Sequence, residues 1–396
     1  MNEIKKLFNT KVIHAGHKED KETGSVMPPI HLSSTFKQKS PGEFKYEYAR
    51  TNNPTREILE KLLKELEEGE FAYAFSSGMA AINTLTDALD KNFHIICSDD
   101  VYGGTRRIFD KVKNVNQNIE ITYTDFSREN NWPGLIKENT KMIWLETPSN
   151  PLLKLVDINK IKKEIPNDDI KIVCDNTFAS PYNQQPLTLG ADVVLHSSTK
   201  YLGGHSDIIG GAIIIKNDKK LAEKIKYLQN AIGAVPSPFD CYMLIRSIKT
   251  LSVRMEKHLS NTQIMLDYLT NNESVSWVNH PSLPDHPDHK VASKLMPKGA
   301  GSMIAFGIKG GKEAGHAFIN ALKLTSHLAN VGDAKSLVIH PASATHSQMD
   351  KKSLELAGLT EDMIRFSVGL EDMEDIITDF DIGFKASQRP RLVASK

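Results

Sequence analysis

The polar and apolar positions change rhythm at about residue 55. Up to there the chain is polar, proline-bearing and weakly periodic, which predicts an extended arm able to reach a neighbouring chain. In "TREILEKLLKELEEGE", by contrast, Ile58, Leu59, Leu62, Leu63 and Leu66 recur at helical spacing and make one broad apolar face, with Gly69 as the expected stop. Short apolar runs follow: "AYAF", "HIIC", "IEITY", "MIWLE", "IKIVCD", "ADVVL" and "GGAIII", separated by helical or loop segments. Runs of this kind bounded by turn residues read as strands. Their alternation with helices predicts an α/β architecture, a mostly parallel central sheet covered by helices that extends to about residue 220.

After "NAIGAVPSPFD" comes one long helical stretch, "CYMLIRSIKTLSVRMEKHLSNTQIMLDYLT", which links the sheet domain to a second one. There "SMIAFGIKG" and "MIRFSVGLE" read as strands, and "EAGHAFINALKL" and "EDMEDIITDFDIGFKAS" as helices, a smaller α+β pattern. The expected organisation is therefore an arm over 1–55, a sheet domain over 56–250 and a C-terminal domain over 251–396. Neither an internal repeat nor a low-complexity segment interrupts it.

Composition narrows the function classes. With 396 residues, 40% of them hydrophobic, the chain is long enough for two domains with substantial cores. Lys plus Arg and Asp plus Glu stand at 49 each, so no global basic field favours nucleic acid or an anionic membrane, and any anion site must be local. "MNEIKKLFNTKVIHAG" lacks an apolar stretch of signal-peptide length, and no later stretch reaches the ~20 apolar residues of a membrane helix, so a cytoplasmic location is expected. Cys97, Cys174 and Cys241 lie far apart without a CxxC pair and read as reduced structural thiols. His280, His286 and His289 cluster in "HPSLPDHPDHK", but in a proline-bearing, loop-type sequence, so no metal site is expected.

Local chemistry gathers at strand ends. In "LHSSTKYLGGHSD", Lys200 follows Ser197, Ser198 and Thr199 and precedes Gly203 and Gly204, just past the carboxyl end of a strand, where open α/β sheets carry their ligand crevices. Alone it reads as a loop lysine about as well as a functional one. Asp175 stands where another apolar run stops; alone it reads best as a helix cap or turn former. "AYAFSSGMAAINTLTDAL" is a strand, then Ser76, Ser77, Gly78 and Met79, then a helix whose first N–H groups suit a phosphate, yet it carries neither a Walker loop nor a GxGxxG fingerprint. A lysine to form an imine, an acid to keep a pyridine nitrogen protonated and small donors for a phosphate are together what pyridoxal phosphate demands.

The motifs "YEYARTNNPTR", "SSGMAA", "DDVYGGT", "ETPSNP", "DNTFASP", "HSSTKYLGGHSD", "AVPSPFDCY" and "IRFSVGLED", in that order, resemble those of the pyridoxal-phosphate enzymes of cysteine and methionine metabolism. That family includes cystathionine γ-synthase, cystathionine γ-lyase, methionine γ-lyase and O-acetylhomoserine sulfhydrylase, and the resemblance runs over nearly the whole chain. It implies a fold-type I pyridoxal-phosphate transferase with pyridoxal 5'-phosphate as cofactor. Lys200 matches the Schiff-base residue, Asp175 the partner of the pyridinium, and Tyr102 the aromatic ring stacked on the cofactor, whose phenol also suits proton transfer. Gly78, Met79, Ser197 and Thr199 match phosphate binders, while Tyr48 and Arg50 resemble the pair that reaches the phosphate from a neighbouring subunit. The resemblance thus implies an active site shared across a dimer, in a tetramer built of two such dimers.

Substrate contacts are implied in the same way. Arg365 in "MIRFSVG" matches the residue that binds the substrate α-carboxylate, and Asn150 of "TPSNP" a group near the ring hydroxyl. Glu47 and Arg107 match positions at the far end of cystathionine, with Ala329 and Asn330 beside that distal pocket. The expected substrate is an amino acid with a γ leaving group, cystathionine or an O-acyl-homoserine, undergoing γ-elimination or γ-replacement. The segment "HLANVGDAKSLVIHPASATHSQM" resembles O-acetylhomoserine sulfhydrylase, with Ala329 where cystathionine enzymes usually carry a glutamate, which makes sulfhydrylation with sulfide the alternative. Gly104 stands where methionine γ-lyases carry a cysteine and counts against that activity. A protein that binds a phosphate ligand without catalysis is the reading from a different class, disfavoured by the set Lys200, Asp175, Tyr102 and Arg365.

Overall fold

Each of the seven apolar runs becomes a strand in a computed structural model that describes residues 6–89, 91–127, 132–344 and 358–388. They are β1 Phe71–Phe75, β2 His94–Ser98, β3 Glu120–Thr124, β4 Thr140–Glu146, β5 Lys171–Asp175, β6 Val193–Ser197 and β7 Gly211–Ile215. Residues such as Ile96, Trp144, Val173, Val194 and Ile214 are fully buried, because helices cover both faces and the runs are apolar at successive positions instead of alternating. The strands form one sheet in the order β1-β7-β6-β5-β4-β2-β3. Strands β2 to β6 are parallel where they pair, whereas β7 runs antiparallel to both β1 and β6.

The helices of this part are α1 Phe8–His14, α2 Pro54–Glu67, α3 Gly78–Asp87, α4 Gly103–Ile108, α5 Asn114–Gln117, α6 Ile158–Glu164, α7 Ser180–Asn183, α8 Lys219–Ile232 and α9 Pro238–Ile248. A π-helical turn, Phe109–Lys113, joins α4 to α5. Helix α1 falls inside the stretch that reads as an extended arm. Helix α2 starts as its sequence demands: Pro54 is its first residue, and the Asn53 side chain accepts from the N–H groups of Thr55 and Arg56. Its end differs from the expected one. Glu68, not Gly69, adopts the left-handed conformation (φ 59°) that stops the helix. Gly69 is needed for space, since a Cβ there would lie 2.5 Å from Ile214 Cγ2 and 2.9 Å from the Ile215 carbonyl.

Contacts group the chain into two units, Met1–Thr147 with Val156–Val253, and Pro148–Leu155 with Arg254–Lys396. The arm therefore groups with the sheet, and residues 148–155, which lie within the sheet domain in sequence, group with the C-terminal part. The single long helix read between them is two, α9 and α10 Leu251–Thr270, because the N–H groups of Lys249 and Thr250 turn back to carbonyls three residues earlier.

The second unit holds β8 Val275–Asn279, β9 Met303–Ile308, β10 Ser326–His327, β11 Leu337–Ile339 and β12 Met363–Ser367, ordered β10-β11-β12-β9-β8. Helices α11 His289–Leu295, α12 Gly311–Ala321 and α13 Met373–Ser387 accompany them. Its core is aromatic: the Phe318 ring lies 5.2 Å from Phe380 and 4.7 Å from Phe384. The last residues of the expected C-terminal domain, 389–396, lie outside the described ones.

Gly69→Ala should destabilise the protein by about 1–3 kcal/mol through overpacking against Ile214, whereas Gly134→Ala, whose added methyl meets nothing within 4 Å, should be close to neutral. Urea unfolding of the two variants measures the difference; equal midpoints would contradict the steric account.

Candidate active site

Strand direction decides which residues meet. Strands β4, β5 and β6 are parallel and in register, so Glu146 pairs with Asp175 and Asp175 with Leu195 at a single sheet edge. Ser197 ends β6 two residues later, and Lys200 lies in the turn beyond it. Strand β7 is antiparallel to both neighbours, and Gly211 pairs with Ser197 on one side and with Phe75, the last residue of β1, on the other. The start of α3, which directly follows β1, is thereby carried to the same edge as Lys200. Tyr102 arrives from the end of β2, parallel to β4.

The start of α3 is a tight cradle. Ser77 caps the helix by accepting the Ala80 N–H, and the first intrahelical bond runs from Ala81 to Ser77, which leaves the N–H groups of Gly78 and Met79 outside the helical ladder. A Cβ on Gly78 would lie 2.9 Å from Ser197 Cβ, and one on Gly211 would lie 2.2 Å from the Ser77 carbonyl oxygen. Only glycines let these backbones approach so closely.

Lys200 is half-buried, in a turn fixed by bonds from the Gly203 N–H to Ser198 O (2.9 Å) and from the Gly204 N–H to Lys200 O (2.7 Å). The Thr199 hydroxyl accepts the Gly210 N–H at 3.1 Å, and the Ser197 N–H donates to the Thr177 hydroxyl at 2.9 Å.

Two carboxyl groups sit side by side at the edge. Asp175 Oδ1 accepts from the Thr177 hydroxyl (2.5 Å) and N–H (3.1 Å), and Glu146 Oε2 accepts the Tyr102 N–H at 2.8 Å. Burial pushes the Asp175 carboxyl above its ordinary range, against the two Thr177 bonds and the field of His196. Burial pushes Glu146 well above as well, and the charge of Asp175 adds to it.

Behind the sheet, Glu67 Oε1 of α2 accepts from His196 Nε2 at 2.5 Å and from Asn176 Nδ2 at 2.9 Å, a buried cluster beneath the residues next to Asp175.

The Tyr102 ring is about half exposed at the start of α4. A Cβ on Gly104 would lie 2.4 Å from Tyr102 Cε1 and 2.9 Å from Met79 Sδ, so this glycine makes room for the ring.

On the arm, Arg50 lies over the Tyr48 ring, 5.2 Å from its centroid, and its Nε reaches Asn230 Oδ1 of α8 at 3.4 Å. Both residues are exposed. Buried Arg56 holds their loop by donating to the carbonyls of Ala49 (2.8 Å), Arg50 (3.1 Å) and Thr51 (3.0 Å). Glu47 and Arg107 are both exposed.

The second unit holds its own polar centre. Buried Arg365 donates from Nη1 to Asn150 Oδ1 at 2.8 Å and from Nη2 to the Asn330 carbonyl at 3.4 Å. Ala329 is exposed, and residues 345–349 of the segment that carries it lie outside the described residues. The loop histidines serve the loop: Nδ1 of His280 and of His286 accept the N–H groups of Ser282 and Asp288, and His289 Nδ1 donates to the Pro281 carbonyl.

Glu146, Thr177 and Arg56 went unassigned in sequence. Glu146 closes the apolar run "MIWLE" just as Asp175 closes "IKIVCD", so the same strand-end argument reaches it. Nothing local marks Arg56, whose acceptors belong to a loop five to seven residues away.

Comparison with known proteins places this geometry. A family model described as "Cys/Met metabolism PLP-dependent enzyme" matches residues 9–385. The chain is 43% identical to a cystathionine beta-lyase from Coxiella burnetii, covering 96% of this chain and 98% of the relative. It is 45% identical to a cystathionine gamma-synthase from Mycobacterium leprae, over 93% and 95%. Among solved structures, cystathionine gamma-lyase from Lactobacillus plantarum complexed with L-serine superposes with a TM-score of 0.93 at 41% identity, over 97% of this chain and 100% of that one.

Gly104→Ala should displace the Tyr102 ring while α4 stays in place. A crystal structure of the variant with the ring unmoved would contradict the assignment.

Proposed function

The chain belongs to the Cys/Met metabolism PLP-dependent enzyme family, and from that premise we propose that it is a trans-sulfuration enzyme acting at the γ-carbon of cystathionine or an O-acyl-homoserine. The observation that carries this reading is the convergence at one sheet edge of Lys200, Asp175, Tyr102 and the glycine cradle at the start of α3.

The residues present fit pyridoxal phosphate. The N–H groups of Gly78 and Met79, with Ser197 and Thr199, supply donors for a phosphate where a side chain at position 78 or 211 would obstruct it. Asp175 would pair with a protonated ring nitrogen, and Tyr102 would offer a flat ring to stack on. Arg50 and Tyr48, exposed on the arm, reach the phosphate of a neighbouring subunit, and a guanidinium matches that oxyanion in forked geometry. Exposed Val26 and Leu32 of the arm and Tyr227 and Ile232 of α8 supply apolar surface for the dimer, which pairs again into a tetramer.

When bound, pyridoxal phosphate supplies an electron sink for negative charge at substrate Cα. Lys200 would take the Cα proton, give it up again so that its amine is free, and then take a proton from Cβ, so that the γ-substituent could leave with its bonding pair; the Tyr102 phenol would assist that transfer. Arg365, oriented by Asn150 and Asn330, binds the substrate α-carboxylate. Glu47 and Arg107 contact the far end of the substrate.

Elimination and replacement share these steps and differ in whether a thiol then adds. Ala329 favours one second reading, sulfhydrylation of O-acetylhomoserine, because it offers no charge to a distal amino group. Among the described residues no helix is long and apolar enough to cross a membrane, and the three buried free thiols support a reducing, cytoplasmic setting.

Purified protein should carry a visible absorbance band that borohydride bleaches. Lys200→Ala should abolish the band and lower turnover by roughly 10² to 10⁴, the range for losing a general acid–base group. Steady-state assays with cystathionine, with O-acetylhomoserine plus cysteine and with O-acetylhomoserine plus sulfide separate the readings; activity with sulfide alone would overturn the first.

A further inference from the structure

Beside Asp175 stands a second acid for which the reaction above has no use. Glu146 is its register partner on the adjacent parallel strand, so the two side chains leave the sheet on the same face from backbones about 4.8 Å apart. Both are buried, with 5% and 7% of their surface exposed. Their hydrogen bonds differ in kind. Asp175 accepts two from Thr177 through one oxygen, whereas Glu146 accepts one, from the backbone N–H of Tyr102 at 2.8 Å. The titratable groups that act on Glu146 include Asp175 on β5, Asp100 just beyond β2, and the thiols of Cys97 and Cys174. Every one of them is negative when ionised. Two like charges side by side in a buried site disfavour each other, and Glu146, with one opposing hydrogen bond against the two on Asp175, is the one that yields.

We propose that Glu146 is a positioning residue: as a neutral carboxylic acid it fixes the backbone of Tyr102, and so its ring, while leaving Asp175 the only carboxylate beside the ring nitrogen. The proposal rests on the cofactor reading above and deepens it. Tyr102 is held by two constraints of different origin. Gly104 leaves space for the ring, and Glu146 fixes the peptide from which it springs. Because Tyr102 is also the residue before α4, the same bond sets where that helix begins. An ionised Glu146 would add a second negative charge next to Asp175 and bind the ring-nitrogen proton more tightly than one carboxylate does.

The test uses the holoenzyme with Glu146→Gln and Glu146→Ala. Gln keeps an uncharged acceptor for the Tyr102 N–H, so its visible band should titrate with the wild-type midpoint. Ala loses the acceptor, and its cofactor should dissociate with a roughly tenfold higher Kd, what losing one hydrogen bond to a buried donor gives, and with the band position of Tyr102→Ala. Infrared difference spectra between wild type and Glu146→Gln, taken with and without cofactor, should show the carbonyl stretch of a protonated acid in wild type near neutral pH. A midpoint shift of one pH unit or more in Glu146→Gln, wild-type behaviour of Glu146→Ala, or no protonated-acid band would each overturn the proposal. Should Glu146→Ala fail to fold, the infrared and Gln results still decide it. Failure of the cofactor reading is seen separately, as wild-type protein without a visible band.

Discussion

A glycine at the start of β7 is the constraint on which the site depends. Gly211 lies between Phe75 and Ser197 in the sheet and presses against Ser77 so closely that a methyl group would come within 2.2 Å of its carbonyl oxygen. Strand β7 must run against both neighbours for this to happen. Because β7 runs against both, β1 points the same way as β6, and the start of α3 emerges at the edge that carries the lysine turn. One antiparallel strand in an otherwise parallel sheet therefore brings the start of α3, with its free N–H groups, and an amine to the same edge.

The edge also concentrates charge that water would otherwise screen. Parallel strands end together, so acids closing two adjacent apolar runs become neighbours in a buried place, and the sheet must distribute protons between them. Thr177 stabilises charge on Asp175 with two donated hydrogen bonds, while Glu146 receives one, from the Tyr102 N–H. On the opposite face, Glu67 Oε1 accepts from both His196 and Asn176. Their bonds tie α2 to the ends of β5 and β6 beneath Asp175.

In the second unit, polar residues separated by more than two hundred positions meet, with Asn150 bonded to Arg365. Asn150 sits in the short segment that leaves the sheet unit and groups with the C-terminal part before the chain returns to α6. A buried arginine needs acceptors to offset its desolvation, and Asn150 and the Asn330 carbonyl provide them while orienting the planar fork.

The sequence by itself determined much of this protein, because strands buried on both faces must be apolar throughout and so are visible as runs. All seven strands of the large sheet, the apolar face of α2 and the strand-end positions of Asp175 and Lys200 were legible in that way. The order of motifs also revealed the family. Tertiary structure alone decided the rest. It placed β7 antiparallel, made Glu68 and not Gly69 the helix stop, split one apparent helix at Lys249 and Thr250, and moved residues 148–155 to the other unit. The short strands β8, β10 and β11 and the arm helix α1 carry too few apolar positions to stand out. Pairing direction, close backbone approach and the sharing of protons between neighbouring acids all depend on residues distant in the chain. Local pattern does not encode those distances.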